Sequence, residues 1–239
     1  MNYEFKELDF QQTPHGEISL RRRAEPRLDG LVLYEVKLGE EFLMSSLFTE
    51  AEEQLAVLGL ELLDQEQLDV VVGGLGLGYT AQAALKNERL RSLTVIEVLQ
   101  PVVDWHKQGL VPLGNEICGD SRCSLVTGDF FAMATSAISG FDETAPDKKV
   151  HAVLLDIDHS PSHWLNPGNH QFYTAEGLTC MAQKLHANGV FGLWSNDPPE
   201  SDFVKLLESV FRSVRSEIVA FPNPYSGGTS ANTVYLAIL

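Results

Sequence analysis

Residues 70–85 read VVVGGLGLGYTAQAAL, from Val70 through glycines at 73, 74, 76 and 78 to Leu85. The order is apolar strand, glycine turn, helix. Glycine lets the chain turn sharply, and it lets a ligand approach the free amides at a helix start. The spacing Gly74-x-Gly76-x-Gly78 is tighter than the G-x-G-x-x-G of dinucleotide binders, which argues against a nicotinamide-dependent dehydrogenase. A simple strand-to-helix turn leaves the same mark, so the neighbouring strands must decide between the two.

Working outward, apolar runs keep alternating with helical ones. With the strand at 68–72, strands are expected at 93–98, 123–127, 150–156 and 190–195, and a closing hairpin from 217–221 and 232–238. Helices are expected at 80–90, 101–109, 130–138, 173–186 and 202–214. Upstream, TEAEEQLAVLGLELL at 49–63 has acids at its start and apolar residues at helical spacing, so it reads as an amphipathic helix. Strands that are apolar throughout, alternating with helices, imply a parallel sheet covered on both faces. The expected fold is therefore α/β and Rossmann-like, with a mostly parallel seven-stranded sheet.

Residues 1–50 read differently. Short β-rich stretches at 17–20, 31–36 and 41–44 are separated by Pro14, Gly16, Pro26, Asp29-Gly30 and Gly39, the pattern of a small antiparallel sheet. The chain thus divides into a β-rich N-terminal region, 1–50, and a nucleoside-binding Rossmann-like domain, 51–239. The run Arg21-Arg22-Arg23 is expected on a solvated sheet edge, where charge protects against mispairing.

Composition narrows the function. The 239 residues are 44% hydrophobic and 21% charged, as in ordinary globular proteins. A net charge of −16 repels phosphate backbones, so no nucleic-acid partner is expected. Three cysteines without a C-x-x-C pair, and no histidine cluster at ligand spacing, predict neither disulfides nor a metal. The opening MNYEFKELDF lacks an apolar signal core and no apolar run reaches about 18 residues, so a cytoplasmic setting away from membranes is expected.

Two acids sharpen the glycine turn into a nucleoside site. Glu97 ends the strand after the glycine turn, 19 positions beyond Gly78, where a carboxylate can accept bonds from a ribose diol. Asp129, in Thr127-Gly128-Asp129, follows the next strand and is placed to accept a bond from an adenine amine. All three features lie at the carboxyl ends of consecutive parallel strands, where open α/β sheets bind ligands.

At this point the sequence resembles the spermidine synthase family, within the class I S-adenosylmethionine-dependent methyltransferase fold. The resemblance runs through Pro14-His15-Gly16-Glu17-Ile18-Ser19-Leu20, the glycine motif, Val95-Ile96-Glu97, Thr127-Gly128-Asp129 and Val153-Leu154-Leu155-Asp156. It continues at Phe172-Tyr173-Thr174 and Asn188-Gly189-Val190-Phe191. It implies that Asp156, matching the first acid of a D-S-S-D-P motif, takes the proton of an attacking amine. It further implies aminopropyl transfer from decarboxylated S-adenosylmethionine to a small-molecule amine, and a tendency to homodimerise to which the N-terminal piece contributes.

The donor and acceptor sides both depart from the family. Gly76 stands where the family has an aspartate, His159 stands at the second acid, and Asp158 is one position away. The family's Gln and Tyr-His pair have no match in FLMSSLFTEAEEQLA, and Pro222-Asn223-Pro224-Tyr225-Ser226-Gly227 only approximates its P-T-Y-P-S-G. The polar, aromatic loop 156–164 and the helix start after it supply a candidate acceptor pocket: Asp158, His159, Trp164 and Tyr173. His159 and His163 read equally as general bases or as surface residues. The loop Trp194 to Pro199 reads as pocket lining. Two further readings stay open: methyl transfer from intact S-adenosylmethionine, and a catalytically silent nucleoside binder.

Overall fold

The computed structural model describes residues 5–142 and 144–239; residues 1–4 of the N-terminal piece and Glu143 lie outside the described residues. Strands β1 (Phe5–Thr13), β2 (Gly16–Glu25), β3 (Leu31–Leu38) and β4 (Glu41–Ser45) form an antiparallel sheet in that order. Helix α1 (Glu50–Glu61) leads into β5 (Leu68–Gly73), α2 (Tyr79–Leu85), β6 (Leu90–Glu97) and α3 (Gln100–Lys107). Then come α4 (Gly114–Gly119), β7 (Cys123–Thr127), α5 (Phe130–Thr135) and β8 (Val150–Leu155). The chain ends with α6 (Ala175–Ala182), β9 (Leu185–Ser195), α7 (Ser201–Glu208), β10 (Ser213–Asn223) and β11 (Gly228–Ile238).

The second sheet has seven strands in the order β10-β11-β9-β8-β5-β6-β7. Strands β9, β8, β5, β6 and β7 are mutually parallel, and the β10–β11 hairpin closes the sheet antiparallel. Every residue of β5 is buried, as a central strand covered on both faces requires. The chain winds one way from β5 to β7 and the other way from β8, so the crevice between β5 and β8 is the topological switch point. Among the described residues no helix is long and apolar enough to cross a membrane.

The two sheets share a core. Ile18, Leu20 and Val36 of the small sheet are buried in one cluster with Leu55 and Leu60 of α1 and Val70 and Val72 of β5. On α1 the buried positions are 51, 52, 55, 56, 59 and 60, a stripe at helical spacing, and position 52 in that stripe is a glutamate.

The expected seven strands are all present, but several boundaries moved. The helix expected over 173–186 ends at Ala182, because Leu185 pairs with Val150 and starts β9. The helix expected over 202–214 ends at Glu208, because Ser213 already pairs with Ile238. Apolar spacing continues across both junctions, and strand pairing overrides it. The arginine run also needs correction, since β2 is an internal strand paired with both β1 and β3. Arg23 bonds Glu25 (2.5 Å) and Glu35 (2.7 Å), and Arg21 lies over the Phe5 ring. Arg23 is thus matched along its own strand by Glu25 and across the sheet by Glu35, and the run does not lie on an edge.

Candidate active site

A cavity of about 340 Å³ opens at the carboxyl ends of β5, β6, β7 and β8. Its floor is the glycine turn. Gly74, Gly76 and Gly78 all have positive φ (95°, 48° and 96°), which L side chains rarely adopt. A Cβ at Gly74 would strike the backbone carbonyl of Asp156, so this glycine lets β5 and β8 close up at the switch point. A Cβ at Gly76 would meet Met44 Sδ, which already accepts from Leu77 N (2.9 Å). Gly78 starts α2, with Ile117 and His106 against its Cα, and does not line the cavity.

Glu97 is buried at the end of β6 and faces the cavity. Its carboxylate receives Leu75 N from the glycine turn (3.0 Å) and Leu99 N (2.9 Å). Burial raises its pKa and these amides oppose the rise. The Gly76 and Val98 amides also act on this carboxylate. Asp129 is exposed on the rim, where one oxygen caps α5 by accepting from Ala132 N (3.1 Å). Gly128, Phe130 and Phe131 join it on that side of the cavity.

Asp156 is recessed in the opposite wall, just past β8. Its Oδ2 accepts from Thr80 Oγ1 (2.7 Å), and burial pushes its pKa up to about 6. The same hydroxyl lies 3.2 Å from the carbonyl of Glu52. The Glu52 carboxyl also lines the cavity, and its pKa is pushed up to about 8, first by burial and then by the charge of Asp156. Two acids confined together cannot both ionise cheaply, so at neutral pH the pair retains a proton. Glu52 went unread in the sequence because it stands among Glu50 and Glu53 in an acidic first turn. Its place in the apolar stripe of α1 was the available signal.

The expected acceptor set does not stay together. His159 lines the cavity, whereas Asp158, Trp164 and Tyr173 do not. Asp158 is buried behind the loop, accepting from Leu165 N (2.8 Å), Asn169 Nδ2 (2.9 Å) and Tyr173 Oη (2.9 Å). Trp164 stacks on Tyr173 and donates to the carbonyl of Pro161 (2.7 Å). The physical reason is a competition for polar partners: a buried carboxylate needs several donors, and the loop supplies them from its own backbone and side chains. Leu165, Asn166 and Asn169 thereby become cavity wall. Trp194 also lines the cavity, as do Pro14 and His15 from the β1–β2 turn. Among the described residues no group of three or more His, Cys, Asp or Glu is arranged to hold a metal ion.

The fold and the cavity together define a Rossmann-like domain of the class I methyltransferase type, preceded by an antiparallel sheet. The comparisons with known proteins narrow that class. No protein-family model matches the chain. A curated polyamine aminopropyltransferase from Sulfolobus acidocaldarius is 25% identical over 173 residues, covering 69% of this chain and 51% of the relative. The chain spans about half the length of that relative. A spermidine synthase solved in complex with the transition-state analogue AdoDATO superposes with a TM-score of 0.74 at 18% identity, over 98% of this chain and 73% of the other. The spermidine synthase from Thermotoga maritima superposes at 0.73 with 18% identity, over 98% of this chain and 72% of the other. The chain is spermidine synthase-like in sequence and in fold.

Proposed function

We propose that this chain moves the aminopropyl group of decarboxylated S-adenosylmethionine to an amine acceptor. The observation that carries the reading is the recessed Asp156–Glu52 pair beside the glycine turn. An acceptor ammonium must lose a proton before its nitrogen attacks the carbon bonded to sulfonium. A carboxylate held near pH 6 attracts that cation and accepts the proton. The C–N bond then forms as the C–S bond breaks, its electrons pass to sulfur, and neutral 5′-methylthioadenosine leaves. In this reading Glu97 takes the ribose hydroxyls, Asp129 the adenine amine, and Gly74, Gly76 and Gly78 keep the turn open to the nucleoside. His159 borders the acceptor, and Asp158, Trp164 and Tyr173 fix the wall beside it. Residues 5–50, with the N-terminal sheet, form a cover over the domain that follows, and we propose that they also take part in a homodimer.

Methyl transfer from intact S-adenosylmethionine is favoured by one observation: Met44, not a carboxylate, stands over Gly76. The wall acids argue the other way. An intact donor brings its own carboxylate into a cavity that already holds Asp156 and Glu52, and like charges repel there. The decarboxylated donor keeps the ammonium and lacks that carboxylate. Calorimetric titration of the full chain with each nucleoside tests this. The decarboxylated form is expected to bind at least tenfold more tightly, and preference for the intact form would overturn aminopropyl transfer.

A further inference from the structure

An open cleft of about 590 Å³ adjoins the donor cavity, and Met44, Glu52, His159 and Trp194 line both. Beyond that common wall the cleft is bounded by Phe42, Phe48 and Phe221 and by the neutral amides of Asn196 and Asn232. Glu52, at the junction, is the only carboxylate among its described lining residues. Glu41 is outside the lining, with its carboxylate 3.6 Å from His159 Nε2.

We propose that this cleft is the acceptor subsite, and that it selects an amine with one ammonium group and an aromatic or apolar body rather than a linear α,ω-diamine. The inference rests on the aminopropyl-transfer reading and specifies its substrate class. The ammonium end belongs at Glu52 and Asp156, where the attacking nitrogen faces the donor cavity. A second ammonium four or five bonds away would enter a region walled by phenyl rings and amides. There it would find no carboxylate among the described lining residues beyond Glu52, which the first ammonium occupies. The Phe48 ring is already packed on Phe221 (5.4 Å between centroids) and Tyr225 (6.4 Å), which makes an apolar wall rather than an open cage around a cation. The His159 and His163 rings, 4.9 Å apart, add further aromatic wall and no carboxylate. A flat or branched apolar body fills the same space without these costs. Asn196 and Asn232 remain available to a hydroxyl on its far end.

The test is calorimetry on the full chain, titrated first with 5′-methylthioadenosine and then, once saturated, with phenethylamine or putrescine. Phenethylamine is expected to bind at least tenfold more tightly than putrescine. Ala231 is exposed and lines only the cleft. Ala231→Glu adds a counter-charge there, so putrescine affinity should rise at least fivefold while methylthioadenosine affinity stays within twofold. Nucleoside binding with putrescine equal to or tighter than phenethylamine, or with neither amine bound, overturns this inference alone. Failure to bind methylthioadenosine overturns the transfer reading and this inference with it.

Discussion

Among single residues, Asp156 carries the sharpest prediction. It was legible in the sequence because it ends an apolar strand at a matched motif position. Asp156→Asn keeps the bond from Thr80 and the shape of the wall but cannot take a proton. Turnover should fall at least a hundredfold while methylthioadenosine affinity stays within about twofold, and unchanged turnover removes Asp156 from the mechanism. Its partner Glu52 went unread, its one signal being its place in the apolar stripe of α1, and a stability measurement exposes it best. The folded chain holds protons on Glu52 and Asp156 up to about pH 8 and 6, while the unfolded chain releases them near 4.5 and 3.8. Between those limits the folded state binds more protons, so stability falls as pH rises. Glu52→Gln cannot ionise and escapes most of that loss. Its Tm advantage over the parent should be near zero at pH 4.5 and grow to several degrees by pH 8, about 1–3 kcal/mol at roughly 2–4 °C per kcal/mol. Thermal unfolding of both chains across that range checks it; parallel Tm curves would show that Glu52 is not a strained acid.

At the scale of elements, the glycine turn and the strand ends located the cavity. Apolar runs between glycines specify a parallel sheet, and a parallel sheet specifies its own crevice. Loops were harder to read. Asp158 looked like a pocket acid because it stands two residues from Asp156, yet β8 has ended by then and the loop buries Asp158 behind the cavity wall. Its function is visible only once Leu165, Asn169 and Tyr173 are seen converging on it. Asp158→Ala leaves those donors without an acceptor, at a cost of about 1–3 kcal/mol. The wall they hold should loosen. KM for the amine is expected to rise about tenfold with kcat changed less than threefold, and Asp158→Asn should restore most of it. A loss confined to kcat would mean that Asp158 acts in the chemical step instead. Helix ends were misread for a related reason, since pairing partners such as Val150 for Leu185 are distant in sequence.

For the whole molecule, the outer face of the N-terminal sheet poses the remaining question. Strand register puts Phe5, Phe10 and Leu31 on one face, opposite Arg23, Ser19 and Glu25 respectively. They are 60%, 50% and 50% exposed, apolar side chains set among the charges of that face, and a second copy of the chain can cover them. Opposing that is the net charge of −16, which makes two copies repel at long range. Screening removes most of the repulsion once the Debye length falls to about 10 Å near 0.1 M salt, whereas apolar burial is unaffected. The dimer should therefore tighten as salt rises, the reverse of an association held by ion pairs. Sedimentation at 0.02 M and 0.2 M salt should show the 26.4 kDa chain shifting towards twice that mass at the higher salt. Phe10→Arg puts a charge in the patch and should hold the chain monomeric at both, with methylthioadenosine affinity unchanged because Phe10 is outside the cavity lining. A parent chain that stays monomeric at 0.2 M salt would leave the patch without this partner.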